Sequence, residues 1–387
     1  MTHPADKVPL LNINQDNKPL RDDFVEALSA VVDSGRFLFG PDVKELEKEV
    51  AELSGASHAV GCASGSDALL LTLMALDIGP GDEVIVPSFT FFASVSCVVR
   101  LGATPVFVDI CPDTFNIDPE GIRQAITANT KAIIPVHLFG QCARIDEICQ
   151  LAEPHNIPVI EDAAQAIGAG YKGRPAGSWG LTGCFSFYPT KNLGGMGDGG
   201  MITSNDAGFA DRLQLFAGHG MRPRYYHQVV GINSRLDTFQ AAVLRVKLRH
   251  LEEATRRRKA IANRYTELFE QSGLLDGQQI TLPAIDPNAD HVWNQYGIRV
   301  SSERRDDLRA FLGESGVGSE IYYPIPVHQQ ECFAALKVDD SQLPETIRAS
   351  KEILNLPIFP SMSEAEQDRV VAVVTQFYQS GQKQVAA

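Results

Sequence analysis

One lysine of this sequence, Lys191, lies where an apolar run gives way to a glycine-rich loop. The apolar run covers residues 184–187, and glycines follow at positions 194, 195, 197, 199 and 200. A second apolar run ends in Glu161 and Asp162, with Gln165 three residues further on. Open α/β sheets bind ligands at the carboxyl ends of their strands, so the sequence predicts an amine and a carboxylate in one crevice.

An amine and a carboxylate in one crevice are what pyridoxal phosphate requires. This cofactor needs an amine for a Schiff base, a carboxylate that keeps its ring nitrogen protonated, and a cradle for its phosphate. We expect Lys191 to supply the amine and to carry protons, with a pKa lowered by desolvation. Asp162 is expected to partner the ring nitrogen and Gln165 the ring's phenolic oxygen. Glu161 points to the opposite face of its strand and is expected to be structural.

A candidate phosphate cradle follows the first predicted strand, where Gly65 and Ser66 open an apolar helix. Backbone NH groups and a hydroxyl at a helix N-terminus favour a bound dianion. A glycine-containing turn with a serine or aspartate cap explains the same residues, and the motif alone does not separate the two. Residues 195–200 show dinucleotide-type glycine spacing, but they run into a predicted strand rather than a helix, which favours a hairpin turn.

The elements that would position these residues alternate along the chain. The apolar runs that we interpret as strands cover residues 59–62, 83–87, 105–109, 132–136, 159–161, 184–187 and 200–203. Amphipathic segments of helical period lie between them, at residues 66–76, 94–101, 119–127 and 145–155. Strands that alternate with helices predict an α/β fold with a mostly parallel, seven-stranded sheet flanked by helices. Aromatic residues at positions 89, 91 and 92 end the second strand and suit either ring stacking or core packing.

A second, smaller unit is predicted after the sheet. Asp237 is a good N-cap for a long helical pattern that continues towards Phe269. We place the domain boundary within this pattern, with a large domain and N-terminal arm at 1–250 and a small α+β domain at 251–387. A strand-like run at 296–300, a helix near 304–313 and proline-rich turns characterise the small domain.

The composition restricts the classes of partner that the protein is expected to bind. The net charge of -14 argues against nucleic acid, because affinity for a phosphate backbone comes chiefly from Lys and Arg. Seven cysteines without a C-x-x-C pair predict free thiols in a reducing cytoplasm. The first six residues lack a basic or apolar leader pattern, and no apolar run approaches a membrane span, so we expect an unexported protein without a membrane partner. No metal site is predicted.

Four motifs together resemble one known family. They are Phe185-Ser-Phe-Tyr-Pro-Thr-Lys191-Asn-Leu-Gly, Glu161-Asp-Ala-Ala-Gln165, Gly79-Pro-Gly-Asp-Glu-Val-Ile-Val-Pro-Ser-Phe-Thr-Phe91 and Gly231-Ile-Asn-Ser-Arg235. In this order they resemble the DegT/DnrJ/EryC1/StrS family of nucleotide-sugar aminotransferases, over nearly the whole chain. The resemblance implies the aspartate-aminotransferase-like fold, type I of the pyridoxal phosphate-dependent transferases. It also implies a homodimer whose subunits share their active sites.

The resemblance also implies roles for individual residues. Lys191 and Asp162 match the catalytic pair, and the other cofactor contacts would be Gly65, Ser66, Phe91, Gln165, Ser186 and Asn233, the last of these from the other subunit. Phe91 would stack on the cofactor ring. We expect substrate contacts from Tyr188, Arg222, Arg224, Tyr226, His227, Arg235, Tyr322, Tyr323 and His328. A solvated loop at 222–227 and a proline-ordered turn at 322–328 are the alternatives.

The reaction implied is a transamination in which L-glutamate leaves as 2-oxoglutarate and a nucleotide-linked ketosugar accepts the amine. The cofactor would alternate between its pyridoxal and pyridoxamine forms. Gln165 and the Tyr-Tyr-His segment favour amination at C3, for example of UDP-3-keto-N-acetylglucosamine, with a 4-keto-6-deoxy sugar as the alternative. More distant alternatives are a dehydratase and a regulatory protein that binds the cofactor without turnover. Lys191 and scattered cysteines argue against the dehydratase.

Overall fold

The computed structural model of the protein describes residues 7–385, with side chains to residue 380. The first six residues, on which the expectation about export rests, lie outside the described residues. None of the described helices combines the length and the apolar character that crossing a bilayer requires.

The strands are short, and those of the central sheet are mostly buried. In chain order they are His58–Cys62 (β1), Glu83–Pro87 (β2), Thr104–Val108 (β3), Thr130–Ile133 (β4), Ile160–Asp162 (β5), Gly170–Tyr171 (β6), Arg174–Pro175 (β7), Thr182–Ser186 (β8), Gly200–Ser204 (β9), Ile280–Thr281 (β10), Ala289–Asp290 (β11), Tyr296–Val300 (β12) and Ile353–Leu356 (β13).

The central sheet runs β1-β9-β8-β5-β4-β2-β3. Two hydrogen-bonded groups, β1-β9-β8-β5 and β3-β2-β4, are joined by parallel bridges from Ile133 to Val159 and from Val136 to Asp162. The predicted α/β fold with seven mostly parallel strands is confirmed, and β9 is the strand that runs antiparallel to both neighbours. Strand β4 ends three residues earlier than predicted because Pro135 has no NH to donate, so that Val136 pairs only through a bridge.

Helices cover both faces of this sheet and build the second unit. They are Ile13–Asn17 (α1), Arg21–Ser34 (α2), Pro41–Leu53 (α3), Gly65–Ala75 (α4), Ala93–Arg100 (α5), Pro119–Ala125 (α6), Ile145–Ala152 (α7), Ala207–Ala217 (α8), Thr238–Leu248 (α9), Leu251–Gln271 (α10), Arg305–Glu314 (α11), Pro344–Glu352 (α12) and Glu364–Val385 (α13).

The long helical pattern after Asp237 forms two helices rather than one. Asp237 caps α9 by accepting a hydrogen bond from the NH of Gln240, as the sequence predicts. The helix stops after Leu248 because α9 packs on α2 and α3, whereas α10 packs on α13. We propose this break as the boundary between domains 1–250 and 251–387.

The small unit has its own antiparallel sheet, β10-β12-β13, and an apolar core that continues into the large unit through Phe89, Phe115 and Phe139. The N-terminal arm belongs to this core: Val8 is buried in it, and the backbone of Val8 bonds to Gly316 and Gly318. Strand β11 returns to the large unit and pairs with β6. The two units are therefore connected at several points around the carboxyl edge of the central sheet.

Strand β5 directs two adjacent carboxylates to opposite faces of the sheet, as the alternation of side chains along a strand predicts. Glu161 is buried and accepts hydrogen bonds from the NH groups of Gly177, Trp179 and Gly180 at 2.8–2.9 Å. His137 accepts from an NH through Nδ1, so its Nε2 carries the proton and donates to Glu161 at 3.0 Å. Glu161 thus organises the turn that leads into β8, the strand that precedes Lys191.

We predict that Glu161→Ala lowers the free energy of unfolding by about 3 to 5 kcal/mol, because it leaves buried donors without partners. The measurement is denaturant unfolding of the cofactor-free protein at one fixed concentration. Glu120→Gln, on the exposed side of α6, is the matched control and should change stability by less than about 0.5 kcal/mol. Equal stabilities of the two variants would contradict this role.

Candidate active site

A cavity of about 700 Å³ lies at the carboxyl ends of the central strands and collects most of the predicted site residues. Strand β5 delivers Asp162 to its wall, and the loop after β8 delivers Lys191. The predicted residues that line it are Gly65, Ser66, Phe91, Asp162, Gln165, Ser186, Tyr188, Lys191, Tyr322 and Tyr323. The two units both contribute to the wall, since Tyr322 and Tyr323 come from the small one.

Asp162 is a buried carboxylate whose two oxygens both accept hydrogen bonds. Ser94 Oγ donates to Oδ2 at 2.7 Å, and the NH of Ala164 donates to Oδ1 at 3.2 Å. Burial raises the pKa of Asp162, and the hydrogen bonds from Ser94 and Ala164 and the charge of Lys191 oppose that shift. Thr90 Oγ1 lies 2.9 Å from Ser94 Oγ and extends the network. These contacts stabilise the ionised carboxylate and offset part of the cost of burial, which still leaves the pKa of Asp162 raised.

Lys191 is an amine prepared for chemistry near neutral pH. Burial lowers the pKa of Lys191 to about 8, and the charge of Asp162 partly opposes the shift. The loop that carries Lys191 turns tightly, because the NH of Lys191 bonds to Tyr188 O and the NH of Gly195 to Phe187 O. A Cβ at Gly194 would lie 2.4 Å from Pro189 O, so only glycine fits there.

The first turn of helix α4 forms an open cradle for an anion. Ser64, rather than Ser66, caps this helix by accepting a hydrogen bond from the NH of Asp67. A Cβ at Gly65 would lie 2.7 Å from Ser186 Cβ, and one at Gly200 would lie 2.4 Å from Ser64 O. These close approaches bring the helix N-terminus, Ser66 and Ser186 to one wall of the cavity, where a phosphate would be favoured.

Gln165 connects the sheet to the small unit. Its side-chain oxygen accepts a hydrogen bond from the NH of Phe139 at 2.6 Å, and its nitrogen donates to the hydroxyl of Tyr323 at 3.2 Å. Burial raises the pKa of Tyr323, and the charge of Asp162 raises it further, so the hydroxyl keeps its proton. The rings of Phe91 and Tyr323 lie 6.2 Å apart along the cavity wall.

The remaining predicted residues lie elsewhere in this single chain. Asn233 Oδ1 accepts from the guanidinium of Arg235 at 2.6 and 2.9 Å. Arg222 pairs with Asp211 at 2.6 Å, and His227 contacts the carbonyl of His219. None of the residues predicted in segment 222–235 lines the cavity: Arg222, Arg224, Tyr226, His227, Asn233 and Arg235.

His328 is also outside the cavity, because its ring is buried between the two units. Its Nδ1 lies 2.6 Å from Ser88 Oγ, and its Nε2 lies 3.0 Å from a carboxylate oxygen of Asp340. Both ring nitrogens are therefore engaged, and the ring holds the segment after Tyr323 against the end of β2. The geometry gives His328 a structural contact here rather than the substrate contact expected from sequence.

Two functional residues, Ser94 and Thr90, were missed by the sequence analysis. Both are buried and stand four residues apart, Thr90 in the loop before α5 and Ser94 in the first turn of that helix. One signal would have identified them: two polar residues, spaced as on one face of a helix, follow a strand that ends at the predicted crevice.

The assembled residues fit a phosphorylated aldehyde cofactor. The cavity offers an amine of lowered pKa, a hydrogen-bonded carboxylate, and an anion cradle that glycines keep open. Its volume accommodates a cofactor together with a substrate. Among the side chains that the structure describes, no group of His, Cys, Asp and Glu is arranged to hold a metal ion.

We predict that Lys191 titrates near pH 8 in the cofactor-free protein, with Lys247 as a second low-pKa amine. Reductive ¹³C-methylation and an NMR pH titration should show two lysine resonances with midpoints well below the ordinary lysine value, because burial disfavours both charges. Lys191→Met should remove one and Lys247→Met the other. Asp162→Asn should lower the midpoint of Lys191 further, since it removes a favourable negative charge. A midpoint for Lys191 at the ordinary value would contradict the buried amine.

Comparison with known proteins places the chain in one family. Residues 19–375 match the model of the DegT/DnrJ/EryC1/StrS aminotransferase family. The chain is 47% identical to a pleiotropic regulatory protein of Geobacillus stearothermophilus, over 96% of this chain and 98% of that one. It is 43% identical to a UDP-N-acetyl-3-dehydro-alpha-D-glucosamine 3-aminotransferase of Acidithiobacillus ferrooxidans, over 95% of this chain and 97% of that one.

A solved structure shares the fold. It is DesV of Streptomyces venezuelae in complex with a ketimine intermediate, with a TM-score of 0.91 and 42% identity over 96% of this chain and 98% of that one. The matching family model, the relatives and the solved structure agree with the motifs and with the cavity. The chain belongs to the DegT/DnrJ/EryC1/StrS aminotransferase family, whose members depend on pyridoxal phosphate.

Proposed function

We propose that this protein transfers the amino group of L-glutamate to a nucleotide-linked ketosugar. The observation that carries the proposal is the convergence of Lys191 and Asp162 on one cavity, with an anion cradle in the same wall. A similar chain of Acidithiobacillus ferrooxidans is named as an aminotransferase of a UDP-linked keto sugar, which supports the substrate class.

The residues of the cavity would have different roles in the reaction. Pyridoxal phosphate, when bound, supplies an electron sink for the carbanion that forms as the substrate loses a proton. Gly65, Ser66 and Ser186 would hold its phosphate, Phe91 would lie against its ring, and Asp162 would keep the ring nitrogen protonated. This last role suits a carboxylate whose ionised form is stabilised by hydrogen bonds from Ser94 and Ala164.

Lys191 would hold the cofactor covalently and, once displaced by substrate, move the proton. A general base works best when its pKa lies near the working pH, and a pKa of about 8 meets this condition. Gln165 and the protonated hydroxyl of Tyr323 would orient the oxygen on the cofactor ring. Tyr188 and Tyr322, at the cavity wall, are proposed to contact the sugar.

Within this class we propose amination at C3, for example of UDP-3-keto-N-acetylglucosamine. Two observations support amination at C3. Gln165 follows the carboxyl end of β5, and the Acidithiobacillus relative is named as a 3-aminotransferase. A 4-keto-6-deoxy sugar is the second candidate. A regulatory role is a third, because the Geobacillus relative carries a regulatory name. The Lys191–Asp162 pair and the lowered pKa of Lys191 favour turnover over that role.

We also propose a homodimer whose subunits complete each other's sites. Segment 222–233 has two strongly exposed aromatic rings, Tyr225 at 77% and Tyr226 at 64%, with Arg222 and Arg224 beside them. Exposed aromatic and arginine side chains are typical of interfaces. In such a dimer Asn233 would reach the cofactor phosphate of the other subunit, and the arginines would meet the nucleotide diphosphate. A cytoplasmic location agrees with the free thiols of all seven cysteines.

The first half of the reaction is tested by spectroscopy on the cofactor-loaded protein. L-glutamate should convert the cofactor absorbance to that of the pyridoxamine form and yield 2-oxoglutarate. Lys191→Ala should abolish the conversion, because no amine moves the proton, whereas Lys172→Ala, an exposed lysine paired with Asp146, should not. A loaded protein that leaves glutamate unchanged would contradict the aminotransferase proposal.

The sugar is tested in the reverse direction, which avoids unstable ketones. With 2-oxoglutarate present, a UDP-linked 3-amino sugar should be deaminated at least about tenfold faster than a dTDP-linked 4-amino-6-deoxy sugar. The opposite preference would replace C3 by C4. If the protein acted on neither sugar but still converted glutamate, the aminotransferase proposal would stand and both proposed sugar substrates would be rejected.

Shared sites are tested by mixing two inactive variants. Lys191→Ala chains and Arg222→Ala/Arg224→Ala chains should regain about a quarter of wild-type activity after subunit exchange at equal amounts, because half of the dimers then contain one intact site. If the arginines served their own subunit, every mixed dimer would lack an intact site and activity would not return.

A further inference from the structure

A second cavity lies on the other side of the loop that carries Lys191. It has a volume of about 150 Å³, and Thr190 and Lys191 line both cavities. Its remaining walls come from the segment 11–20, the neighbours of Lys191, the end of α9, the start of α10 and the turn at Pro360 and Ser361. Apart from Lys191, none of the described residues that line this cavity is among the proposed cofactor or substrate contacts.

Arg258 contributes a buried charge to this cavity. The residue is only 5% exposed, and its Nη1 donates to the carbonyls of Trp293 at 3.2 Å and Ile358 at 3.0 Å. Its Nε is buried and has no hydrogen-bond partner within the described part of the chain. A buried guanidinium normally pairs with a carboxylate or another anion, so its present partners leave the charge undercompensated.

A second cation, Lys247, faces the same cavity. Its ammonium donates to the carbonyl of Gly194 at 2.6 Å, which ties it to the glycine loop after Lys191. Burial lowers the pKa of Lys247 to about 8, and the charge of Arg258 contributes to the shift. Burial likewise lowers the pKa of Arg258 to about 10. Both shifts are caused chiefly by burial, and the charge of Asp16 opposes them only in part.

A single carboxylate, Asp16, lies among the described residues that line this cavity, and its charge opposes the pKa shifts of both Lys247 and Arg258. Asp16 is the carboxylate on its wall, and one of its oxygens accepts the NH of Ser361 at 2.9 Å. Another cation on this wall, Arg257, is paired with Glu253 at 2.8 Å. Asp16 alone therefore faces both Lys247 and Arg258, and the cavity carries an excess of positive charge on a protein whose net charge is -14.

We propose that this cavity binds a small oxyanion, such as inorganic phosphate or a short carboxylate, between Lys247 and Arg258. The volume exceeds the roughly 10–15 Å³ that one water needs, so a polyatomic anion fits with its residual waters. Both cations are charge-assisted donors, which suits phosphate and carboxylate oxygens alike. A bound anion would brace the segment 11–20 and α10 against the loop of Lys191.

The test is equilibrium dialysis of radiolabelled phosphate against the cofactor-loaded protein at constant ionic strength. Loading occupies the cradle at α4, so any saturable phosphate must bind elsewhere. We expect one phosphate per chain, with affinity about tenfold weaker in Lys247→Met, because one charge-assisted hydrogen bond is lost. Lys247→Arg should retain binding. Arg256→Gln, on the solvent side of α10, is the control and should bind as the wild type does.

Competition identifies the natural chemistry of the site. Displacement of the label by sulfate but not by succinate would assign the site to phosphate-like anions, and displacement by succinate would extend it to carboxylates. Absence of saturable binding to the loaded protein would overturn the proposal. Equal affinity of the wild type and Lys247→Met would overturn it too, by placing the phosphate elsewhere. Neither result depends on aminotransferase turnover.

Discussion

The hydrogen bond from Ser94 to Asp162 is the interaction on which the active-site architecture depends. A carboxylate at the end of a buried strand would normally take up a proton, because desolvation penalises its charge. Ser94, supported by Thr90, and the NH of Ala164 offset part of this penalty from two sides, although the pKa of Asp162 remains raised. Burial lowers the pKa of Lys191, whereas the negative charge of Asp162 raises it, and the balance of the two is a pKa of about 8. The amine and the carboxylate thus determine each other's protonation.

Both faces of strand β5 take part in this arrangement. Asp162 points to the cavity, whereas Glu161 on the other face collects the NH groups of the turn before β8. The strand therefore fixes the carboxylate directly and the lysine indirectly, through the start of the strand that leads to it. Glycines then permit the close turn after Lys191 and the contact between α4 and Ser186. Rigid elements position the reacting groups, while the small unit supplies tyrosines to the wall.

Local patterns in the sequence were enough to predict the sheet and the convergence of Lys191 and Asp162 on one cavity. Continuous apolar runs indicated the buried strands, and a lysine flanked by such a run and by glycines indicated Lys191. Contacts between distant segments were not predictable in the same way. Ser94 reaches Asp162 from another element, and His328 is buried against Ser88 across 240 residues. The roles that we propose for Asn233 and Arg222 require a second subunit. No pattern within one chain predicts where that subunit lies.

The most direct measurement is the pH dependence of the rate at which L-glutamate converts the bound cofactor, in Ser94→Ala and in Ser96→Ala. Ser94 stabilises the ionised form of Asp162, so its removal raises the pKa of that carboxyl and moves the acid limb of the profile to higher pH. Ser96 bonds to a backbone carbonyl on the same helix, and its removal should leave the acid limb in place. An acid limb in Ser94→Ala that coincides with the wild type would show that the serine does not control the charge of Asp162.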